Sequence, residues 1–167
     1  MSQSYHDIGD LDHNHELATA LGDMVIAWAR AETALISAFS HIAKINLNMA
    51  CAAYYRIPTF EARTKFIRAM FDDWDGDSQG YKKDALFEEI SKLNGLARAR
   101  NDWVHGNWCA NDDKTETVIF DYRRKPGEPG RRKPVKAADV RNHIMAVRER
   151  TRKIDALLPD HLHPDIL

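Results

Sequence analysis

Between His15 and Ile45 the apolar residues Leu17, Leu21, Met24, Val25, Trp28, Leu35, Ile36, Phe39 and Ile42 recur at steps of three and four. That period lines one face of a helix of roughly eight turns, at 3.6 residues each. A shorter helix over MACAAYYR must stop before Pro58, because the residue preceding a proline is driven out of the helical region. Thr59 then offers a hydroxyl cap to FEARTKFIRAMF, which carries a carboxylate in its first turn. DDWDGDSQG reads as a turn cluster. A fourth helix runs from about Tyr81 to His105, with Leu86, Ile90, Leu93, Ala97, Val104 and Trp108 in register. TETVIFDYR is short and rich in β-branched and aromatic residues, which predicts one strand of a hairpin. RKPGEPGRRKP predicts a mobile basic loop, and a last helix spans about Ala137 to Leu158. Residues 1–13 read as a flexible tail, leaving a single domain over 14–167. The fold class expected is mainly α, a helical bundle with a small β-hairpin insertion at about residues 115–134, before the last helix.

Charge sharpens this picture. From Arg123 to Lys153 twelve Lys and Arg stand against Glu128, Asp139 and Glu149, a surplus of nine positive charges. With a formal net charge of −1, the rest of the chain carries −10. A basic block beside an acidic body points to a polyanion partner or to an opposite patch on another copy. Arg123, Arg124, Lys125, Arg131, Arg132 and Lys133 are the residues expected to track the backbone of such a polyanion, an RNA's where RNA is the ligand. The hydrophobic share of 44% and the charged share of 29% are those of an ordinary globular protein. No apolar run is long enough to span a bilayer, so no membrane role is expected. The opening MSQSYHDIGDLDHNHEL has neither a basic nor an apolar region, and Cys51 and Cys109 stand apart, so a reduced, cytoplasmic protein is expected.

Polar residues intrude on two of the apolar stripes. Glu32 lies four residues after Trp28 and three and four before Leu35 and Ile36. A carboxylate there must meet a cation, rise in pKa, or reach out along a stripe edge. On the fourth helix Asn101 falls within the stripe of Ile90, Leu93, Ala97 and Val104, with Arg100 on one shoulder and His105 on the other. Arg98 points further from the stripe centre and shares a face with His105, seven residues on. A buried polar cluster that joins Glu32 to this segment is expected, and a structural salt bridge would leave the same pattern. His105 followed by Gly106 also suits a plain helix end, with the histidine at the negative pole and the glycine as the left-handed closing residue.

RNDWVHGNW resembles the signature of the HEPN superfamily, an arginine, four to six residues, then a histidine, with a polar residue after the arginine. Arg100-Asn101 to His105 matches the four-residue form. Arg98 to His105 would match the six-residue form, but Ala99 then takes the polar place, so Arg100 is preferred. The long first helix with WARAE is similar too, and the likeness covers roughly residues 15–108 and the last helix. The resemblance implies a HEPN-like bundle in which two protomers line a shared cleft, hence a homodimer, with Trp103 and Trp108 as aromatic interface anchors. It implies metal-independent RNA cleavage of the toxin or defence type, with an antitoxin or other regulatory protein as a further partner. Arg100, Asn101 and His105 would then be catalytic, and Glu32 and Arg98 supporting. It equally covers members that are non-catalytic modules for dimerisation or for binding a nucleotide or partner.

Other signals lead nowhere. Asp73, Asp75 and Asp77 alternate as in a calcium loop, but the glycine stands in the fourth place instead of the sixth. His13-x-His15 and His161-x-His163 lack the helical spacing of a zinc pair. No phosphate-binding or dinucleotide glycine motif occurs, so no metal and no cofactor is expected.

Overall fold

The structure, a computed structural model, describes residues 4–72, 82–121 and 131–158. Among these are five helices, α1 (His15–Ala43), α2 (Leu47–Arg56), α3 (Phe60–Asp72), α4 (Lys83–His105) and α5 (Ala137–Leu157). Four short strands, β1 (Tyr5–Asp7), β2 (Asn107–Asn111), β3 (Thr117–Asp121) and β4 (Arg131–Pro134), form one antiparallel sheet in chain order. The chain is thus mainly helical with a small antiparallel sheet. No helix among the described residues is long and apolar enough to cross a membrane.

Residues group into two compact units. One holds residues 1–25 and 98–144, the other 26–97 and 145–167. In the second unit the predicted stripes are buried. Trp28, Leu35, Ile36, Phe39 and Ile42 of α1 lie inside, as do Ile67 and Phe71 of α3 and Leu86, Ile90 and Leu93 of α4. Trp28 meets Phe60 at 4.7 Å between ring centroids and Phe71 meets Phe87 edge-on at 4.9 Å. Thr59 Oγ1 accepts the Ala62 amide at 3.1 Å, the cap read from sequence. α1 closes on Lys44, whose φ of 53° is left-handed. The Ile45 amide returns to Ser40 O and the Lys44 amide to His41 O, which is the two-bond Schellman closure with a lysine in the usual glycine place.

The first unit departs from expectation in three places. Residues 5–7, assigned to a flexible tail, form β1 and pair with β2 through Tyr5–Asn111 and Asp7–Cys109. The hydrophobic count missed them because a three-residue edge strand has too few positions to show alternation. The basic loop is a strand where it is described. Arg131–Pro134 pairs with β3, and Pro134 is tolerated because β4 is an edge. The hairpin is therefore half of a four-stranded sheet. Its β2–β3 turn is held by Asn111, whose side chain accepts the Glu116 amide at 2.8 Å and donates to Thr115 Oγ1 at 3.0 Å.

Trp108 is the third departure. It belongs to β2 and not to the α4 stripe, and in the last turns the buried position is Trp103, 6% exposed, while Val104 faces outward. The switch happens at Gly106, which is not a left-handed closing residue. A Cβ there would lie far inside contact distance of Asp102 O and Ile119 Cγ2. The glycine is required because β3 packs against the end of α4. Since one of the two obstacles is backbone, Gly106→Ala is expected to cost about 1–3 kcal/mol, as overpacking does. A urea melt checks this, and an unchanged midpoint would refute the close approach.

Candidate functional site

The last two turns of α4 carry the residues singled out by sequence, all in the first unit. Because Trp103 and not Val104 continues the buried stripe, that stripe runs Leu93, Ala97, Arg100, Trp103. Arg100 thus stands three residues from a buried neighbour on either side and is itself half-buried. Its Nη1 donates to Asn101 Oδ1 at 2.9 Å, so the two polar residues that intrude on the stripe are bonded to each other. His105 is exposed at the C-terminal end of the helix, where the dipole favours a cation. Arg98 is exposed and shares that outer face, two turns back. The arrangement is a held guanidinium beside an amide, with an accessible imidazole a little over one turn further along.

Glu32 does not support this segment. Its Oε1 pairs with Arg63 Nη1 at 2.7 Å, within the second unit, and both side chains are 14% exposed. Arg63 also donates from Nε to Ile57 O at 2.9 Å and lies over the rings of Tyr54 and Tyr55, at 4.8 and 5.2 Å. Burial and the nearby Glu32 carboxylate push the Tyr54 hydroxyl pKa up, so it stays neutral there. The expected buried polar cluster exists, but its cation comes from α3. Sequence could have found it, since Arg63 sits three residues after Phe60 and four before Ile67 and so lies on the α3 stripe.

Behind the motif helix lies a histidine that sequence reading passed over. His143, on α5, is buried and meets Trp103 edge-on at 4.8 Å between ring centroids. Neither His143 Nε2 nor Trp103 Nε1 has a hydrogen-bond partner among the described residues. Trp103 O accepts from Trp108 Nε1 at 3.1 Å, so of the two tryptophans expected as interface anchors Trp103 is buried in the chain and Trp108, half-buried, is bonded to it. Burial lowers the His143 pKa, because the charged imidazolium loses its water. The unfolded chain then takes up a proton that the folded chain resists. Stability should be full above pH 6.5 or so, the ordinary histidine value, and fall as pH drops below it, levelling off under the lowered folded value. Melting temperatures at pH 7.5 and 5.5 check this. The difference should shrink in His143→Leu, and an equal difference in both proteins would remove His143 as its source.

The basic residues divide. Arg123, Arg124 and Lys125 lie outside the described residues, and of Arg131 only the backbone, in β4, is described. Lys133 is exposed. Arg132 lies over the Tyr5 ring at 4.4 Å, and Tyr5 hydrogen-bonds Glu116 through its hydroxyl. That guanidinium is engaged across the sheet face. Among the described residues no three His, Cys, Asp or Glu side chains gather into a metal-holding group. Cys109 is buried and bonded to Asp7 at 3.2 Å, and burial raises its thiol to about 11, so it is no nucleophile at neutral pH.

No protein-family model, no curated protein and no solved structure matches the chain.

Proposed function

We propose that the chain is a HEPN-like domain that cleaves RNA without a metal, using Arg100, Asn101 and His105. The observation that carries this reading is the pairing of a held Arg100–Asn101 with an exposed His105 at the end of one helix. An imidazole can take the proton of a ribose 2′-hydroxyl or return one to the departing 5′-oxygen. The 2′-oxygen attacks phosphorus, the 5′-oxygen leaves, and a 2′,3′-cyclic phosphate remains. A guanidinium carries five N–H donors in a rigid fork, and that fork suits phosphate oxygens as charge builds on them. Asn101 fixes the direction in which the guanidinium lies. The HEPN resemblance adds a second copy to complete the cleft and a regulatory partner of antitoxin kind.

One observation favours a second reading, a non-catalytic module for dimerisation or for binding a nucleotide or partner. Arg100 lies on the buried stripe, where its bond to Asn101 also serves the packing of α4. End-labelled RNA incubated in EDTA separates the two. Cleavage to cyclic phosphate ends, blocked by a 2′-deoxy substitution at the cut site and absent from His105→Ala, supports the enzyme. Intact RNA at high protein concentration supports the module.

A further inference from the structure

On α1 the buried positions Leu17, Met24, Ala31 and Leu35 take one face of a single unbroken helix. The opposite face is where charge belongs. It carries instead Ala18, Gly22, Val25, Ile26, Ala29 and Thr33, which fall within about 100° of arc. Val25 is 49% and Ile26 62% exposed, and Gly22, Ala29 and Thr33 are exposed as well. The Thr33 hydroxyl donates to Ala29 O at 3.1 Å, so it is satisfied within the helix. His15 stands on the same line, one turn before the stripe begins. Asp23 and Arg30 border the stripe on one side, three residues before and four after Ile26. Glu32 borders it on the other, where it is paired with Arg63. Glu16 is paired with Arg141. Asp23 and Arg30, both exposed, have no ion-pair or hydrogen-bond partner among the described residues.

We propose that this stripe pairs two copies of the chain, α1 against α1 and antiparallel, across a two-fold axis that passes between Val25 and Ile26. The pattern itself names the occupant. Ala18 and Thr33, Gly22 and Ala29, and Val25 and Ile26 are each placed symmetrically about the point between residues 25 and 26. Turned end for end, the stripe meets itself, with Gly22 set opposite Ala29 so that the two backbones can approach and Val25 set opposite Ile26. In a two-fold pair each border of the stripe also meets the same border of the other copy. Residue 28 of the second copy then stands level with Asp23, and Arg30 is two residues on, about 3 Å along the axis. Asp23 of each copy thus reaches Arg30 of the other, and the two charges left without partners on α1 answer each other twice. One helix from each copy, in contact over about 22 Å, makes less than the ~800 Å² per partner of a standard interface, so dissociation at micromolar concentrations is expected. The inference does not rest on the ribonuclease reading. It places the second copy on α1 and not on the tryptophans of α4.

Sedimentation equilibrium of the full chain from about 1 to 200 μM tests the pairing. Asp23→Lys sets like charges face to face at both contacts, as does Arg30→Glu, and each should weaken the dimer about 5–30-fold. Both positions are exposed, so each variant should fold, which circular dichroism checks. An equimolar mixture of the two variants should pair as tightly as the parent, because the mixed dimer has opposite charges at both contacts. Ile26→Lys, which sets two ammonium groups beside the axis, should leave only monomer in this range. Arg56→Glu makes the same charge change at an exposed arginine of α2 and should leave the dimer in place. A parent that stays monomeric at about 200 μM overturns the pairing and leaves the stripe to a partner of another kind. A dimer indifferent to Asp23→Lys and Ile26→Lys overturns it too, since another face would then hold the second copy. A mixture no tighter than either variant alone overturns the antiparallel contact, and with it the proposal.

Discussion

His105→Ala should slow RNA cleavage by about 10²–10⁴-fold, the contribution of a positioned general acid or base. Its stability should stay within about 0.5 kcal/mol of the parent, because the side chain is exposed and has no hydrogen-bond or ion-pair partner among the described residues. That combination distinguishes chemistry from architecture. Arg100→Ala is expected to behave otherwise. Removing a half-buried guanidinium bonded to Asn101 should lower both rate and melting temperature. Arg98→Ala supplies the contrast, since Arg98 is exposed on the outer face of α4 together with His105. If Arg98→Ala abolished cleavage and Arg100→Ala spared it, the phosphate-facing arginine would be the one seven residues before the histidine. A His105→Ala protein that cuts at the parental rate would end the proposal for this site.

Helix-forming stripes were legible because burial repeats along them. α1, α3 and α5 follow their apolar periods to within a few residues, and Thr59 caps where a threonine before a helical run should. What periodicity cannot carry is the point where one element hands over to another. Val104 and Trp108 kept the helical count alive past the end of α4, whereas Gly106 had already turned the chain into β2. By sequence the glycine suits a plain helix end, whereas its reason in the fold is steric. Steric approach of Ile119, thirteen residues later, is invisible to any local rule. The strand in Arg131–Pro134 was hidden by its composition, since basic residues and proline suit a loop as well as an edge. For the site, sequence found the intruding residues Glu32, Arg100 and Asn101, and inferred that they must be satisfied. It joined the wrong ones. Arg63 was an equal candidate by stripe position, and choosing between two cations on two helices takes three-dimensional information.

That ion pair makes the last prediction. Glu32→Ala should destabilise the chain by about 3 kcal/mol, the low end of what breaking a buried pair costs. The low end applies because Arg63 keeps its bond to Ile57 O and its place over Tyr54 and Tyr55 when the carboxylate is gone. What it loses is its one ion-pair partner among the described residues, at a site where 14% of the side chain meets solvent. At about 2–4 °C per kcal/mol for a chain of this size, the melting temperature should fall by about 6–12 °C. Replacing both partners, as Glu32→Leu with Arg63→Met, should cost less than Glu32→Ala alone, because no charge is then left stranded. Urea melts of the parent, Glu32→Ala, Arg63→Met and the double variant close the cycle, and an unchanged m-value would keep the comparison to stability. A Glu32→Ala loss below about 0.5 kcal/mol would mean that solvent already screens the pair. A double variant worse than the sum of the singles would mean that the two side chains hold different parts of the second unit. RNA cleavage in Glu32→Ala, measured well below its melting temperature, should match the parent, because the carboxylate serves Arg63 and not Arg100 or His105.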